Sequence, residues 1–133
     1  MADRVCAFMD TFYRTISFAN GERFKSREFG DLFLNQAILI EKAGDSVKKK
    51  TVEEHIRAFE DCIALYPQFF QEGFIEKQTA IEYLESDYCV LVKSQYEKRY
   101  HNGKEKVVAT GYNHITLLDM NGSYQIVSIV WEE

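Results

Sequence analysis

From Phe74 onward the chain repeats with a period of two. The runs "FIEKQTAIEYLESD", "YCVLVKSQYEKRYHN", "KEKVVATGYNHITLLDM" and "SYQIVSIVWEE" alternate in polarity, and Ser86-Asp87, Asn102-Gly103 and Asn121-Gly122 separate them. Alternation of this kind marks strands. Asn-Gly between two such runs marks a hairpin, because a type I′ turn requires positive φ at both central residues. The second half of the chain is therefore expected to fold as an antiparallel meander.

The first half is helical in pattern. "DRVCAFMDTFYRTISFANG" sets Val5, Phe8, Met9, Phe12, Ile16 and Ala19 on one face. Asp3 can cap this helix and Asn20-Gly21 can end it. "KSREFGDLF" reads as a short helix with Ser26 as cap and Phe29, Leu32 and Phe33 facing inward, and "QAILIEK" as a first strand. "TVEEHIRAFEDCIALYPQFF" opens on a capping box, Thr51 with Glu54, and carries Val52, Ile56, Phe59 and Ile63 on a stripe. Pro67 stops or bends it. Lys48-Lys49-Lys50 reads as a solvated turn.

Tight turns would fix the register. With Asn121-Gly122 as a two-residue turn, His114 faces Ile129 and Tyr112 faces Trp131; with Asn102-Gly103 equally tight, Leu91 faces His114 and Lys93 faces Tyr112. One face then holds Cys89, Leu91, Lys93, Gln95, Tyr112, His114, Thr116, Leu118, Val127, Ile129 and Trp131. The other holds Tyr88, Val90, Val92, Tyr96, Ile115, Leu117, Tyr124, Ile126, Ser128 and Val130. A β-bulge would swap these faces locally. Both are substantially apolar, so both need covering, one by the helices and one by a second copy of the chain. A homodimer is the expectation.

Composition narrows the function. The 133 residues are 46% hydrophobic and 28% charged, with an aromatic share of 14% that favours a pocketed core or an interface. A net charge of −5 gives no footprint for nucleic acid. Cys6, Cys62 and Cys89 lack paired spacing, and His55, His101 and His114 lack ligand spacing. We expect reduced thiols, no metal, no cofactor and a cytoplasmic location. No apolar run is long enough to span a bilayer, and the acids in "MADRVCAFMD" argue against a signal peptide.

Over nearly its whole length the chain resembles the nuclear transport factor 2-like superfamily, with the SnoaL-like polyketide cyclases and the ketosteroid isomerases as its nearest branches. The resemblance lies in the order and spacing of "FANGERF", "DLFLNQAILIEKAG" leading into "TVEEHIRAF", and "DMNGSYQIVSIVWEE". It implies a single α+β domain over residues 1–133, with N-terminal helices packed on a curved antiparallel sheet in a cone-shaped, cystatin-like fold. It also implies a deep apolar pocket and frequent dimerisation through the outer sheet face. Carried over, the resemblance turns Trp131, Ile129 and Val127 inward, together with Tyr112, His114 and Thr116.

The same resemblance nominates chemistry. Glu41 stands where ketosteroid isomerases carry an Asp base, and a carboxylate at the mouth of an apolar pocket gains basicity; alternatively it is a strand-end charge paired with Lys42. His114 stands near the oxyanion-stabilising acid of those enzymes, or is a strand histidine satisfied by a neighbour. The helix-1 tyrosine of the isomerases maps to Tyr13 or, one residue on, Arg14. Lys93 and Gln95 lie on the pocket face by register, and His55 reads as an ordinary partly exposed histidine. Glu in place of Asp and His114 in place of an acid depart from the isomerase pattern, so steroid isomerisation is not expected. Three functions remain: a small-molecule-binding protein with an aromatic pocket; a cofactor-free isomerase, dehydratase or cyclase using Glu41 and His114; or a dimeric interaction module whose pocket is filled. Phe69-Phe70 could fill that cavity or lid it.

Overall fold

The computed structural model describes residues 3–133. Helix α1 (Arg4–Ile16) leads through strand β1 (Phe18–Ala19) to α2 (Ser26–Gly30), β2 (Phe33–Ala43), β3 (Ser46–Thr51) and α3 (Val52–Leu65). A 3₁₀ turn, Pro67–Phe69, then opens the meander of β4 (Gly73–Glu85), β5 (Cys89–His101), β6 (Lys106–Met120) and β7 (Ser123–Glu132). The sheet runs β1-β4-β5-β6-β7-β2-β3. β2 lies parallel to β7 and the other pairings are antiparallel.

The local signals act as their chemistry requires. Asp3 accepts from the amides of Val5 and Cys6 at the start of α1. Thr51 accepts from the Glu54 amide at 3.1 Å, and Glu54 returns the bond to the Thr51 amide at 2.9 Å. Asn121 and Gly122 both hold positive φ, and Met120 pairs with Ser123 across them. α3 ends at Leu65, two residues before Pro67.

Five expectations need correction. α1 stops at Ile16, not at Asn20-Gly21, because Phe18 is drawn into a ring cluster with Phe59, Phe70 and Phe74, and its strand pairs with β4. Ala19 is therefore exposed, and Phe33 belongs to β2 instead of the short helix, whose cap position is Lys25. The triple lysine is no turn: Lys48, Lys49 and Lys50 pair with β2 in the edge strand β3, where charge discourages pairing with another chain. At Asn102-Gly103, Asn102 Oδ1 accepts from the amides of Lys104 and Glu105 and builds a four-residue loop closed by His101 and Lys106. The β5–β6 register shifts by two, so that Lys93 faces His114 and Leu91 faces Thr116.

The fifth correction decides the faces. β7 carries an extra residue, Val127, between Ile126, which faces Leu117, and Ser128, which faces Thr116. One extra residue reverses the side-chain phase. Ile129 and Trp131 thus join Tyr124 and Ile126 on the concave side, facing the register partners Ile115 and Asn113. That side is completed by Val90, Val92, Ser94 and Tyr96 and covered by Val5, Met9, Phe12, Tyr13 and Ile16 of α1.

Tyr96 can lie flat over its neighbour only because that neighbour is Gly111. A Cβ there would stand 2.6 Å from the Tyr96 hydroxyl and 2.5 Å from the Glu132 carbonyl oxygen. Gly111→Ala should therefore destabilise the fold by about 1–3 kcal/mol, as overpacked core sites do. Thermal or urea unfolding measures this; an unchanged midpoint would contradict the packing described.

Candidate functional site

Where α1 ends, the concave face of the sheet is left partly open, and α3 and the Pro67–Phe69 turn close over it at a distance. The result is a cavity of about 450 Å³. Phe12 and Ile16 of α1, Phe29 of α2, and Phe59 and Cys62 of α3 form one wall. Phe74, Tyr96, Tyr100, Asn113, Ile129 and Trp131 form the other, and Phe69 and Phe70 lie at the side. Rings pack on one another around it: Phe24–Phe59 at 4.7 Å, Phe59–Phe74 at 5.1 Å and Phe74–Tyr100 at 6.3 Å between centroids. Edge and tilted contacts of this kind make a stiff apolar lining.

The sheet side of the cavity is polar at one end. Asn113, itself buried, donates from Nδ2 to the Tyr13 hydroxyl at 3.1 Å. Tyr13 and Ser94 lie 2.7 Å apart, and Ser94 donates to Gln78 Oε1 at 2.6 Å. Since Ser94 spends its proton on Gln78, Tyr13 donates to Ser94, and the chain runs Asn113 to Tyr13 to Ser94 to Gln78. Burial pushes the Tyr13 phenol up to about 12, with the bonds to Ser94 and Asn113 opposing the shift. Tyr96 donates to Glu133 Oε1 at 2.9 Å, and Lys98 makes a close ion pair with the same oxygen. Burial, together with the negative charges of Glu76 and Glu133, raises the Tyr96 phenol well above its usual range.

Glu76 is the odd group. It sits on β4 directly across from Lys98, and both line the cavity. Lys98 is committed to Glu133, and among the described residues no hydrogen bond to the Glu76 carboxylate forms. Desolvation raises its pKa from 4.5 to about 7, Lys98 pulling it down and Glu133 pushing it further up.

Asn113 lies between the two ends: across β6–β7 it pairs with Trp131, and beyond it stand Glu41, Lys50 and His55. The His55 ring meets the Trp131 indole edge-on at 5.2 Å, and its Nδ1 is buried without a partner. Burial lowers its pKa to about 4, with the Lys50 charge acting in the same direction, so the imidazole is neutral at ordinary pH.

The residues anticipated from sequence divide between the two faces. Glu41, Ile129 and Trp131 line the cavity. Tyr13, the alternative to Arg14, is buried behind Asn113, whereas Arg14 is exposed and bonds Thr11. Tyr112, His114, Thr116 and Val127 do not line the cavity; the strand phase sets them on the convex side with Lys93 and Gln95. There His114 stacks on Tyr112 and bonds Glu132 at 3.1 Å. Glu41 and His114 therefore stand on opposite faces and do not converge. Glu76, Tyr96, Lys98, Asn113 and Glu133 were not anticipated, and His55 is more enclosed than its helix pattern suggests. Among the described residues no cluster of His, Cys, Asp or Glu could hold a metal ion.

No family model matches the chain, and no curated protein is similar to it in sequence. Solved structures are. A protein of Novosphingobium aromaticivorans assigned provisionally as a scytalone dehydratase aligns over 96% of this chain and 80% of its own, with a TM-score of 0.73 at 14% identity. A provisional dehydratase of Streptomyces avermitilis, from the nuclear transport factor 2-like family, aligns over 97% and 92%, with 0.69 at 14%. A nuclear transport factor 2-like protein of unknown function from Shewanella oneidensis aligns over 98% of both chains, with 0.66 at 12%. The chain has the nuclear transport factor 2-like fold.

The raised pKa of Glu76 has a signed consequence. Its folded value lies above its unfolded one, so the folded state holds the extra proton between them, and stability is lost as pH rises toward about 7. Glu76→Gln removes this slope. The stability gain of the variant over wild type should grow by about 2 kcal/mol between pH 5 and pH 8 in urea titrations. A gap that does not change with pH would show that Glu76 is ordinarily solvated.

Proposed function

We propose that this protein binds a small, largely apolar molecule with a flat ring system in the cavity between α1, α3 and the concave sheet face. The observation that carries the reading is a space of about 450 Å³ that aromatic side chains bound but do not fill. Cavities of this size that join apolar walls to a few convergent polar groups are the usual sites for small ligands. The filled-pocket reading has no such support. Acid-base chemistry on a Glu41–His114 pair has none either, since the two lie on opposite faces of the sheet. That two structural neighbours carry provisional dehydratase assignments adds only what a shared fold can, because one fold hosts many activities.

Trp131 reports on this directly, as the only tryptophan in the chain and a wall of the cavity. Titration with flat apolar ketones, aromatic acids and polyketide-like phenols should give a saturable change in its emission for at least one class. Emission that no class perturbs would sink the binding reading.

We further infer a homodimer formed through the convex sheet face, and a cytoplasmic protein, which the three unpaired thiols support. Leu84 and Leu91 face each other across β4 and β5 and are 75% and 54% exposed. The row continues through the small hydroxyl side chains of Thr116 and Ser128 to Ile38, which leaves exposed apolar groups at both of its ends. Sedimentation equilibrium should return twice the chain mass for wild type and the single-chain mass for Leu91→Lys. A monomeric wild type at micromolar concentration would overturn the dimer.

A further inference from the structure

At the polar end of the cavity one carboxylate, that of Glu76, has no bonded donor among the described residues. The chain of bonds from Asn113 through Tyr13 and Ser94 to Gln78 points its protons away from the cavity. Asn113 lines the cavity and gives one Nδ2 proton to Tyr13, which leaves its Oδ1 and its second N–H unbonded. Tyr96 and Lys98 direct their protons to Glu133. Glu76 is left with no bonded donor and shares its cross-strand cation, Lys98, with Glu133.

The charges give the same result. Glu41, Glu76 and Glu133 line the cavity against Lys50 and Lys98, and His55 is neutral, so one negative charge is unmatched when Glu76 is ionised. The groups facing Glu76 are Lys98 and Tyr96 from β5, Glu133 beyond β7, and Tyr13 from α1. Only Lys98 among them is cationic. Next to Glu76 on the same face of β4 is Phe74, packed on Tyr100, so the acceptor site adjoins a wall of rings.

Resting on the binding reading above, we propose that the cavity selects aryl-alkyl amines, with the ring against Phe74 and Tyr100 and the protonated nitrogen on the Glu76 carboxylate. An ammonium supplies both deficits together: donors for the Glu76 oxygens, and the missing positive charge. The neighbouring rings add attraction for a cation. A carboxylate ligand would meet Glu76 and Glu133 and be repelled.

The test uses three probes that share one ring, namely naphthylethylamine, naphthylethanol and naphthylacetate, titrated by calorimetry. At pH 8 the amine should bind about tenfold or more tightly than the alcohol, as a charge-assisted bond in a dry site implies, with the acetate weakest. Between pH 6 and pH 8 the amine affinity should rise about tenfold as Glu76 ionises, while the alcohol stays level. Glu76→Gln should erase both the preference and the pH slope yet still bind the alcohol. Lys98→Met, which removes the one opposing cation, should strengthen the amine.

Equal binding of amine and alcohol, or an amine preference that survives Glu76→Gln, overturns the amine assignment and leaves the ring-binding cavity standing. Failure of all three probes, together with unperturbed Trp131 emission across the wider panel, overturns the cavity reading itself.

Discussion

The extra residue at Val127 decides which side chains of β7 line the cavity. β7 enters the sheet with Tyr124 and Ile126 packed into the core beneath α1. Without the bulge, strict alternation would carry Ser128 and Val130 inward and present Ile129 and Trp131 to the convex face. The cavity would lose the ring that meets His55 and the aliphatic floor beside Asn113. It would also lose the alignment that pairs Glu41 with Trp131 across the parallel β2–β7 contact. A single inserted residue thus separates a core-forming half of the strand from a cavity-forming half.

The cavity in turn depends on concessions in the packing. Tyr96 reaches Glu133 only because Gly111 offers no Cβ, and Gly73, at φ 92, brings β4 against the Phe18 carbonyl, where a Cβ would meet that oxygen at 2.7 Å. Both glycines hold the backbone close where side chains would hold it apart. Gly73 does so at the β1–β4 pairing and Gly111 in the middle of the sheet, between β5 and β7. Glu76 is the further cost. A largely desolvated carboxylate with no bonded donor opposes folding once it ionises.

Much of the architecture was legible because its signals are local. The Thr51–Glu54 box and Asn121-Gly122 act through atoms two or three residues apart, and nothing distant overrides them. The site was less legible, for reasons that can be assigned to particular residues. Val127 is as suited to a strand as its neighbours, so the bulge leaves no compositional mark. A second irregularity, between Gln78 and Ala80, shifts the phase of β4. Ile81 and Tyr83 face inward after it, which by simple alternation would put Ile75 inward and Glu76 out; the bulge reverses this. Asn102-Gly103 matches the tight-turn signal, yet the Asn102 side chain takes two amides and lengthens the loop. In β3, three successive lysines hide alternation, because an edge strand need not carry an apolar face. The family resemblance supplied the fold and the inward turn of Trp131, while the phase it lent to β6 was off by one face.

Burial acts on the two ends of the cavity in opposite senses, and the signs matter. His55 is depressed from 6.5 to about 4, so it opposes folding only as pH falls through that interval, when the unfolded chain takes up a proton the folded one refuses. Glu76 is raised from 4.5 to about 7 and opposes folding as pH rises through its own interval. Between the two, both groups are neutral in the folded state and the cavity is at its least charged. Above about 7 the Glu76 end becomes anionic while the His55 end does not change. On the acid side His55 acts together with Asp3, Glu54 and Asp119, whose lowered carboxylates also lose stabilisation as pH falls. Whatever supplies a positive charge at Glu76 lowers that group's pKa and stabilises the fold at alkaline pH, which links occupancy of the cavity to the stability of the sheet that forms it.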